Sequence, residues 1–97
     1  MSVSVSTHVL DTGSGRPAER VRVELVRDRE VMASGETDAA GRIAELAKDL
    51  DPGRYALVFW PPSEFFTRVE LEVDLEDGHY HVPLLVSPFG CASYRGS

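Results

Sequence analysis

Three histidines, one arginine and a lone cysteine are the side chains whose types and positions point beyond folding to chemistry. His8, His79 and His81 each carry an imidazole whose ordinary pKa of about 6.5 lets it take and return a proton near neutral pH. Arg42 offers a fixed, planar cation that can grip oxygens and stabilise an oxyanion. A base that deprotonates water and a cation that holds growing negative charge are what hydrolysis at a carbonyl requires. The same imidazoles admit a second chemistry. His79 and His81, two apart on a strand, share a face, and with His8 as a third ligand they form a candidate metal set. Arg42 nearby would repel a divalent cation, and spacing fixes no Asp or Glu beside these residues. Cys91 has no partner for an internal disulfide and no activating neighbour in sequence, so it reads as a small packing residue.

The elements that must position these groups are strands. Val3, Val5, Thr7 and Val9 share one face of the first segment, and Ser4, Ser6, His8 and Leu10 share the other. Val21, Val23 and Leu25 alternate with charge, and Arg27-Asp28-Arg29-Glu30 reads as a polar hairpin into Val31–Gly35. Thr37–Gly41 turns the chain into Arg42–Leu46; from Ala44 to Leu50 helix and strand propensities compete. Asp51-Pro52-Gly53 leads to an aromatic, two-sided strand, Arg54–Trp60, that Pro61-Pro62 stops. Thr67–Leu75 alternates with Val69, Leu71, Val73 and Leu75 inward, His79–Val86 follows, and a short segment runs from Cys91 to the end.

Short strands punctuated by Gly and Pro turns predict an all-β, two-sheet sandwich of about eight strands, forming one domain over residues 1–97. Parity then places the chemistry. With Val3, Val5 and Val9 inward, His8 points out of the sandwich. With Tyr80, Val82 and Leu84 inward, His79, His81 and Pro83 point out, and Ile43 inward turns Arg42 out. Spacing alone does not say whether these strands are neighbours.

A net charge of -6, with acids spread along the chain and no block of Lys or Arg, disfavours nucleic acid and anionic membrane as partners. Met1–Ser6 lacks a basic start and an apolar run, so a cytoplasmic protein is the expectation. A subunit this small that also builds a site is a candidate for oligomerisation.

Five segments occur in order along nearly the whole chain: Ser6-Thr7-His8-Val9-Leu10-Asp11-Thr12, Thr37-Asp38-Ala39-Ala40-Gly41-Arg42, His81-Val82-Pro83-Leu84-Leu85, Ser87-Pro88-Phe89-Gly90 and Tyr94-Arg95-Gly96-Ser97. Together they resemble the signatures of the 5-hydroxyisourate hydrolases, the purine-catabolic members of the transthyretin-related family. The Tyr-Arg-Gly-Ser ending is the mark that separates those hydrolases from transthyretin, the hormone carrier.

The resemblance implies a transthyretin-like (prealbumin-like) fold in which the strands bearing His8, Arg42, His81 and the C-terminus form one sheet. It also implies a homotetramer whose facing sheets enclose a channel, with active sites at subunit interfaces. His8, Arg42, His81 and Ser97 carry over as catalytic positions, and Tyr94, Arg95 and Gly96 join them in binding the small-molecule substrate; no metal or cofactor is implied. The implied reaction, in urate degradation, opens the cyclic amide of 5-hydroxyisourate to 2-oxo-4-hydroxy-4-carboxy-5-ureidoimidazoline. In that scheme one of the two histidines, His81 or His8, activates water; as the base, His81 would be held in one tautomer by His8 or the Ser97 terminus. Arg42 steadies the oxyanion and depresses a neighbouring histidine's pKa.

Two departures from the family pattern stand out. Cys91-Ala92-Ser93 replaces Tyr-Ser-Thr, with two hydroxyls lost and a polar contact to substrate or a neighbouring subunit in question. Trp60–Phe66 is short for the small surface helix usual at this point, which predicts that the helix is trimmed or absent. A non-catalytic transthyretin-like carrier of a small ligand and a His-based metal-binding protein are the alternative readings.

Overall fold

The computed structural model describes residues 2–96; Met1 and Ser97, the latter expected as a catalytic position, lie outside the described residues. Nine strands follow one another: β1 (Val3–Asp11), β2 (Arg16–Pro17), β3 (Arg22–Arg27), β4 (Glu30–Glu36), β5 (Arg42–Leu50), β6 (Gly53–Trp60), β7 (Val69–Leu75), β8 (Gly78–Ser87) and β9 (Gly90–Ser93). They form two sheets. One has β1 at its centre, paired with β8 on one side and with β5 and the two-residue β2 on the other, and β9 extends it beyond β8. The second runs β4-β3-β6-β7. The all-β sandwich expected from the strand pattern is the one observed, with β2 as the added short strand.

The inward rows of the two sheets make the core. Val3, Val5, Val9, Val82, Leu84 and Val86 meet Val21, Val23, Leu25, Tyr55, Leu57 and Phe59, all fully or almost fully buried. Two strands depart from simple alternation. In β5 the core-facing residues are Ile43, Leu46, Ala47 and Leu50, a spacing that suits a helix. The segment is nevertheless a strand, because two bulges absorb the extra residues. Val3 pairs with Leu50, Val5 with Ala47 and Thr7 with Ile43, with register shifts between successive pairs. In β6, Val58 is buried although it lies on the face opposite Tyr55, Leu57 and Phe59; it sits between the flanking Glu24 and Glu70 of the adjacent strands.

Between β6 and β7 the chain forms no helix; Ser63 Oγ instead accepts hydrogen bonds from the amides of Phe65 (3.1 Å) and Phe66 (2.9 Å). The short Trp60–Phe66 stretch thus closes on a serine turn rather than a helical one.

Candidate active site

Three neighbouring strands bring the outward residues together. β1 and β8 run parallel with Ser4 opposite His79, Ser6 opposite His81 and His8 opposite Pro83. On the other side of β1, β5 runs antiparallel and sets Arg42 directly opposite His8. Arg42, His8 and His81 therefore lie on one outer sheet face, across three adjacent strands. Parity supplied the direction of each side chain, and the β5-β1-β8 order supplies their adjacency.

Arg42 is placed by the turn before it. Thr37 is buried: its hydroxyl donates to the Ala18 carbonyl (2.7 Å) and accepts from the Val21 amide (2.9 Å). The Asp38 carboxylate then accepts from the amides of Ala40 and Arg42, both at 2.9 Å, while the Asp38 amide donates to the Arg42 carbonyl at 2.9 Å. Gly41 turns with a φ of 76°, and its carbonyl accepts from the Val9 amide at 2.7 Å. The Thr37–Arg42 motif is thus a clamp that fixes where β5 starts relative to β1. Among the described residues no carboxylate pairs with the exposed Arg42 guanidinium, which leaves it free for an anionic ligand.

His81 is held from two sides. Ser6 Oγ lies 2.8 Å from its Nδ1, so the tautomer of His81 is coupled to the direction in which the Ser6 hydroxyl points. From the other edge Gly96 closes in: its amide donates to the His81 carbonyl at 2.7 Å, forming an isolated bridge beyond the end of β9. Burial first, then the neighbouring His8, His79 and Arg42, pull the His81 pKa below the ordinary histidine value. The ring is therefore held neutral near pH 7, the state a base needs. Depression by Arg42 was expected; the larger share comes from burial.

Ser6 is the residue that sequence reasoning passed over, and His79, read there only as an outward imidazole and a candidate metal ligand, is its partner. Ser6 is nearly buried on the outer face because imidazoles cover it: its Oγ is also 2.8 Å from His79 Nε2, and Ser4 Oγ is 2.7 Å from His79 Nδ1. Both ring nitrogens of His79 are thus engaged by serine hydroxyls. Among the described residues no group of three His, Cys, Asp or Glu side chains is arranged to hold a metal ion.

The C-terminal residues divide. Gly96 joins His81, whereas the Arg95 guanidinium lies over the Tyr80 ring, 4.1 Å from its centre, and Tyr80 packs against the core. Tyr94 and Arg95 line a cleft of about 490 Å³ with Leu71, Val73 and Tyr80, at the open edge between β7 and β8. They stand apart from His8 and Arg42. Of the altered residues, Cys91 pairs with Val86 and packs against the core, and burial raises its thiol pKa, as suits a packing residue. Ser93 keeps a hydroxyl that donates to the Pro83 carbonyl at 2.8 Å. Ala92, opposite Leu85, is the one altered position on the outer face.

The site itself is a depression of about 260 Å³ lined by Ser6, Thr7, Arg42, Ile43, Ala44, His79 and His81. A larger one, about 590 Å³ on the outer face of the second sheet, is lined by arginines interleaved with glutamates and contains no imidazole. Only the smaller one joins a base to a cation. The HIUase/Transthyretin family model matches residues 5–96. The chain belongs to this family. The 5-hydroxyisourate hydrolase of Caulobacter vibrioides is 38% identical over 112 aligned residues, covering 96% of this chain and 97% of that protein. Among solved structures, the 5-hydroxyisourate hydrolase of Klebsiella pneumoniae is similar with a TM-score of 0.89 at 38% identity, covering 98% of this chain and 99% of that one. Transthyretin from Sparus aurata is similar with a TM-score of 0.81 at 25% identity, covering 95% of both chains. The transthyretin-like sandwich expected from the sequence is thus the architecture of the HIUase/transthyretin family, with His8, Arg42 and His81 on the outer face of its β5-β1-β8 sheet.

Proposed function

We propose that this chain is a hydrolase of urate degradation that opens the cyclic amide of 5-hydroxyisourate to 2-oxo-4-hydroxy-4-carboxy-5-ureidoimidazoline. One observation carries the reading: His81, tied at Nδ1 by Ser6 and kept neutral, shares an outer depression with Arg42, with His8 directly opposite that arginine. The kinship with proteins of that name supports it.

The steps follow from the geometry. His81 Nε2, the ring nitrogen not bonded to Ser6, takes a proton from water as the water oxygen attacks the ring carbonyl. Arg42 binds the oxygen on which negative charge grows, and its fixed charge also orients an anionic substrate. The tetrahedral intermediate then expels the ring nitrogen, which recovers the proton held on His81 Nε2. His8, between Arg42 and Pro83, holds a substrate oxygen or nitrogen from the middle strand. Likeness to the family ending adds Ser97 to the catalytic set and Tyr94 and Arg95 to the substrate-binding one, while Gly96 forms the wall beside His81.

A depression of about 260 Å³ on an open sheet face does not exclude water from a bound substrate. A homotetramer in which a second subunit's sheet faces this one supplies the missing wall and places the active sites at subunit interfaces. We assign the whole of residues 1–97 to one such domain, working in the cytoplasm. Among the described residues no helix is long and apolar enough to cross a membrane.

The test is direct. Urate oxidase generates 5-hydroxyisourate in the cuvette, and its ultraviolet absorbance decays spontaneously. Micromolar protein is expected to accelerate that decay, and Arg42→Ala or His81→Ala to remove the acceleration while the fold stays intact. Folded wild-type protein that leaves the spontaneous rate unchanged would assign the chain to carriage of a small ligand instead.

A further inference from the structure

Four side chains make a continuous hydrogen-bonded line across β1 and β8: Ser4 Oγ to His79 Nδ1 at 2.7 Å, His79 Nε2 to Ser6 Oγ at 2.8 Å, and Ser6 Oγ to His81 Nδ1 at 2.8 Å. The parallel register produces it, since Ser4 and Ser6 face His79 and His81 in matched pairs. One end is the partly buried His81 in the catalytic depression; the other is the exposed Ser4–His79 pair. We propose that Ser6 and His79 are positioning and proton-relay residues, which set the tautomer of His81 and carry its proton charge to solvent. The proposal deepens the hydrolase reading and rests on it for the identity of the base.

Donor and acceptor arithmetic leaves two orderings of this line in which the Ser6 proton is used within it. A Ser6 hydroxyl has one proton, so it cannot donate to both imidazoles. If it donates to His81 Nδ1, His81 carries its own proton on Nε2 and faces the substrate as a donor. If it donates to His79 Nε2, it accepts from His81 Nδ1–H, and His81 presents a bare Nε2 as a base. In this second ordering His79 Nδ1–H donates to Ser4, and every proton in the line points towards solvent.

Catalysis switches between the orderings. When His81 Nε2 takes a proton from the attacking water, the Nδ1 proton passes to Ser6 Oγ as the Ser6 proton passes to His79 Nε2. His81 is then neutral with its proton on Nε2, ready to serve as the acid for the departing ring nitrogen, and His79 holds the charge at the exposed edge. As Nε2 gives up its proton, the two transfers reverse and the starting ordering returns. No proton is gained or lost over the cycle. Moving the charge matters because His8 and Arg42 oppose a second cation at His81, together with His79 itself; among the described residues, Arg95 is stacked on Tyr80.

Ser6→Ala, Ser6→Thr, His79→Gln and wild type separate this from mere support. In 15N NMR spectra of the imidazoles, the wild type is expected to hold neutral His81 as the Nδ1–H tautomer, and Ser6→Ala to lose that preference while Ser6→Thr keeps it. In turnover, Ser6→Ala and His79→Gln are each expected to lower kcat by about tenfold or more at unchanged KM, with Ser6→Thr restoring it. The solvent isotope effect of the wild type should curve with deuterium content, as multi-proton transfer requires, and become linear in His79→Gln. An unchanged His81 tautomer in Ser6→Ala, or full kcat with the wild-type isotope profile in His79→Gln, would overturn the relay. Wild-type protein with the expected tautomer but no turnover would instead sink the hydrolase reading alone, because the NMR measurement needs no substrate.

Discussion

Gly96 lies against the imidazole of His81 so closely that a Cβ on Gly96 would come within 2.6 Å of Cδ2 and 3.2 Å of Cγ. The contact is between the C-terminal segment and the proposed base, and it leaves room for no side chain.

Gly96→Ala is therefore expected to act on geometry. The ring must shift, since the alternative is to break the bond from the Gly96 amide to the His81 carbonyl. A base displaced by about 1 Å can cost on the order of a hundredfold in rate. Steady-state kinetics should show kcat falling by at least about tenfold, while thermal unfolding stays near that of the wild type because the bridge is at the chain's edge. Wild-type kcat in a well-folded Gly96→Ala would mean that the His81 position is not critical.

The depressed pKa of His81 gives a pH dependence of definite sign. In the unfolded chain the ring titrates near 6.5, and in the fold it titrates lower because of burial and then of His8, His79 and Arg42. Between those two values the unfolded chain binds a proton that the folded one does not. Stability should thus decline as pH falls from about 6.5 through the folded pKa, and its His81 contribution should level off below it. His81→Gln should flatten that part of a denaturation series. The acid limb of kcat/KM should lie below the ordinary histidine range, and an NMR titration of His81 in His8→Gln should show its pKa moved up. A limb at or above the ordinary value would contradict a neutral, base-ready His81.

Gly41 carries the placement of Arg42. Its left-handed φ of 76° disfavours any other residue, and a Cβ there would sit 2.5 Å from the Val9 carbonyl oxygen and 2.9 Å from Pro17 Cβ. Gly41→Ala is expected to cost roughly 1–3 kcal/mol of stability from backbone strain, with further loss as β5 is pushed from β1. Denaturant unfolding measures the first effect and KM the second, since the Arg42 register opposite His8 depends on this turn. Asp38→Ala should raise KM with a smaller stability loss, because it removes two accepted hydrogen bonds without a clash. Equal stability of Gly41→Ala and wild type would show that the turn relaxes freely.

Different parts of this arrangement were legible to different degrees. The outward direction of His8, Arg42 and His81 followed from alternation, because Val3, Val5, Val9, Val82 and Leu84 mark the inward face unambiguously. That the three belong together did not follow, since pairing between β1 and β8 joins residues some 75 positions apart and only family likeness supplied it. The Ser6 link stayed hidden for the same reason: an outward serine has no meaning until its cross-strand partner is known. The tract from Ala44 to Leu50 resisted because Ile43, Leu46, Ala47 and Leu50 have helical spacing, and bulges that reconcile such spacing with a strand arise from the partner's register. Arg95 was grouped with the outer-face residues by likeness to the family ending, yet it stacks on Tyr80.

The hairpin between β3 and β4 offers a gain in stability. Arg27 pairs with Glu30, and the two residues between them, Asp28 and Arg29, have φ values of 51° and 67°. Two positive φ angles in a two-residue loop make a type I′ turn, whose twist matches that of the flanking strands and which Asn-Gly fits best. An L-residue other than glycine pays on the order of 1–2 kcal/mol for this conformation, and Asp tolerates it better than Arg does. Arg29→Gly should relieve the larger part. Some of the relief is returned through the greater freedom of glycine in the unfolded chain, so a net gain of about 0.5–1 kcal/mol is expected. For a chain of this size that corresponds to a Tm higher by roughly 2–8 °C. The turn belongs to the second sheet, on the far side of the core from His81, so kcat and KM should not change. A Tm that fails to rise would mean that Arg29 makes a compensating contribution outweighing its backbone strain.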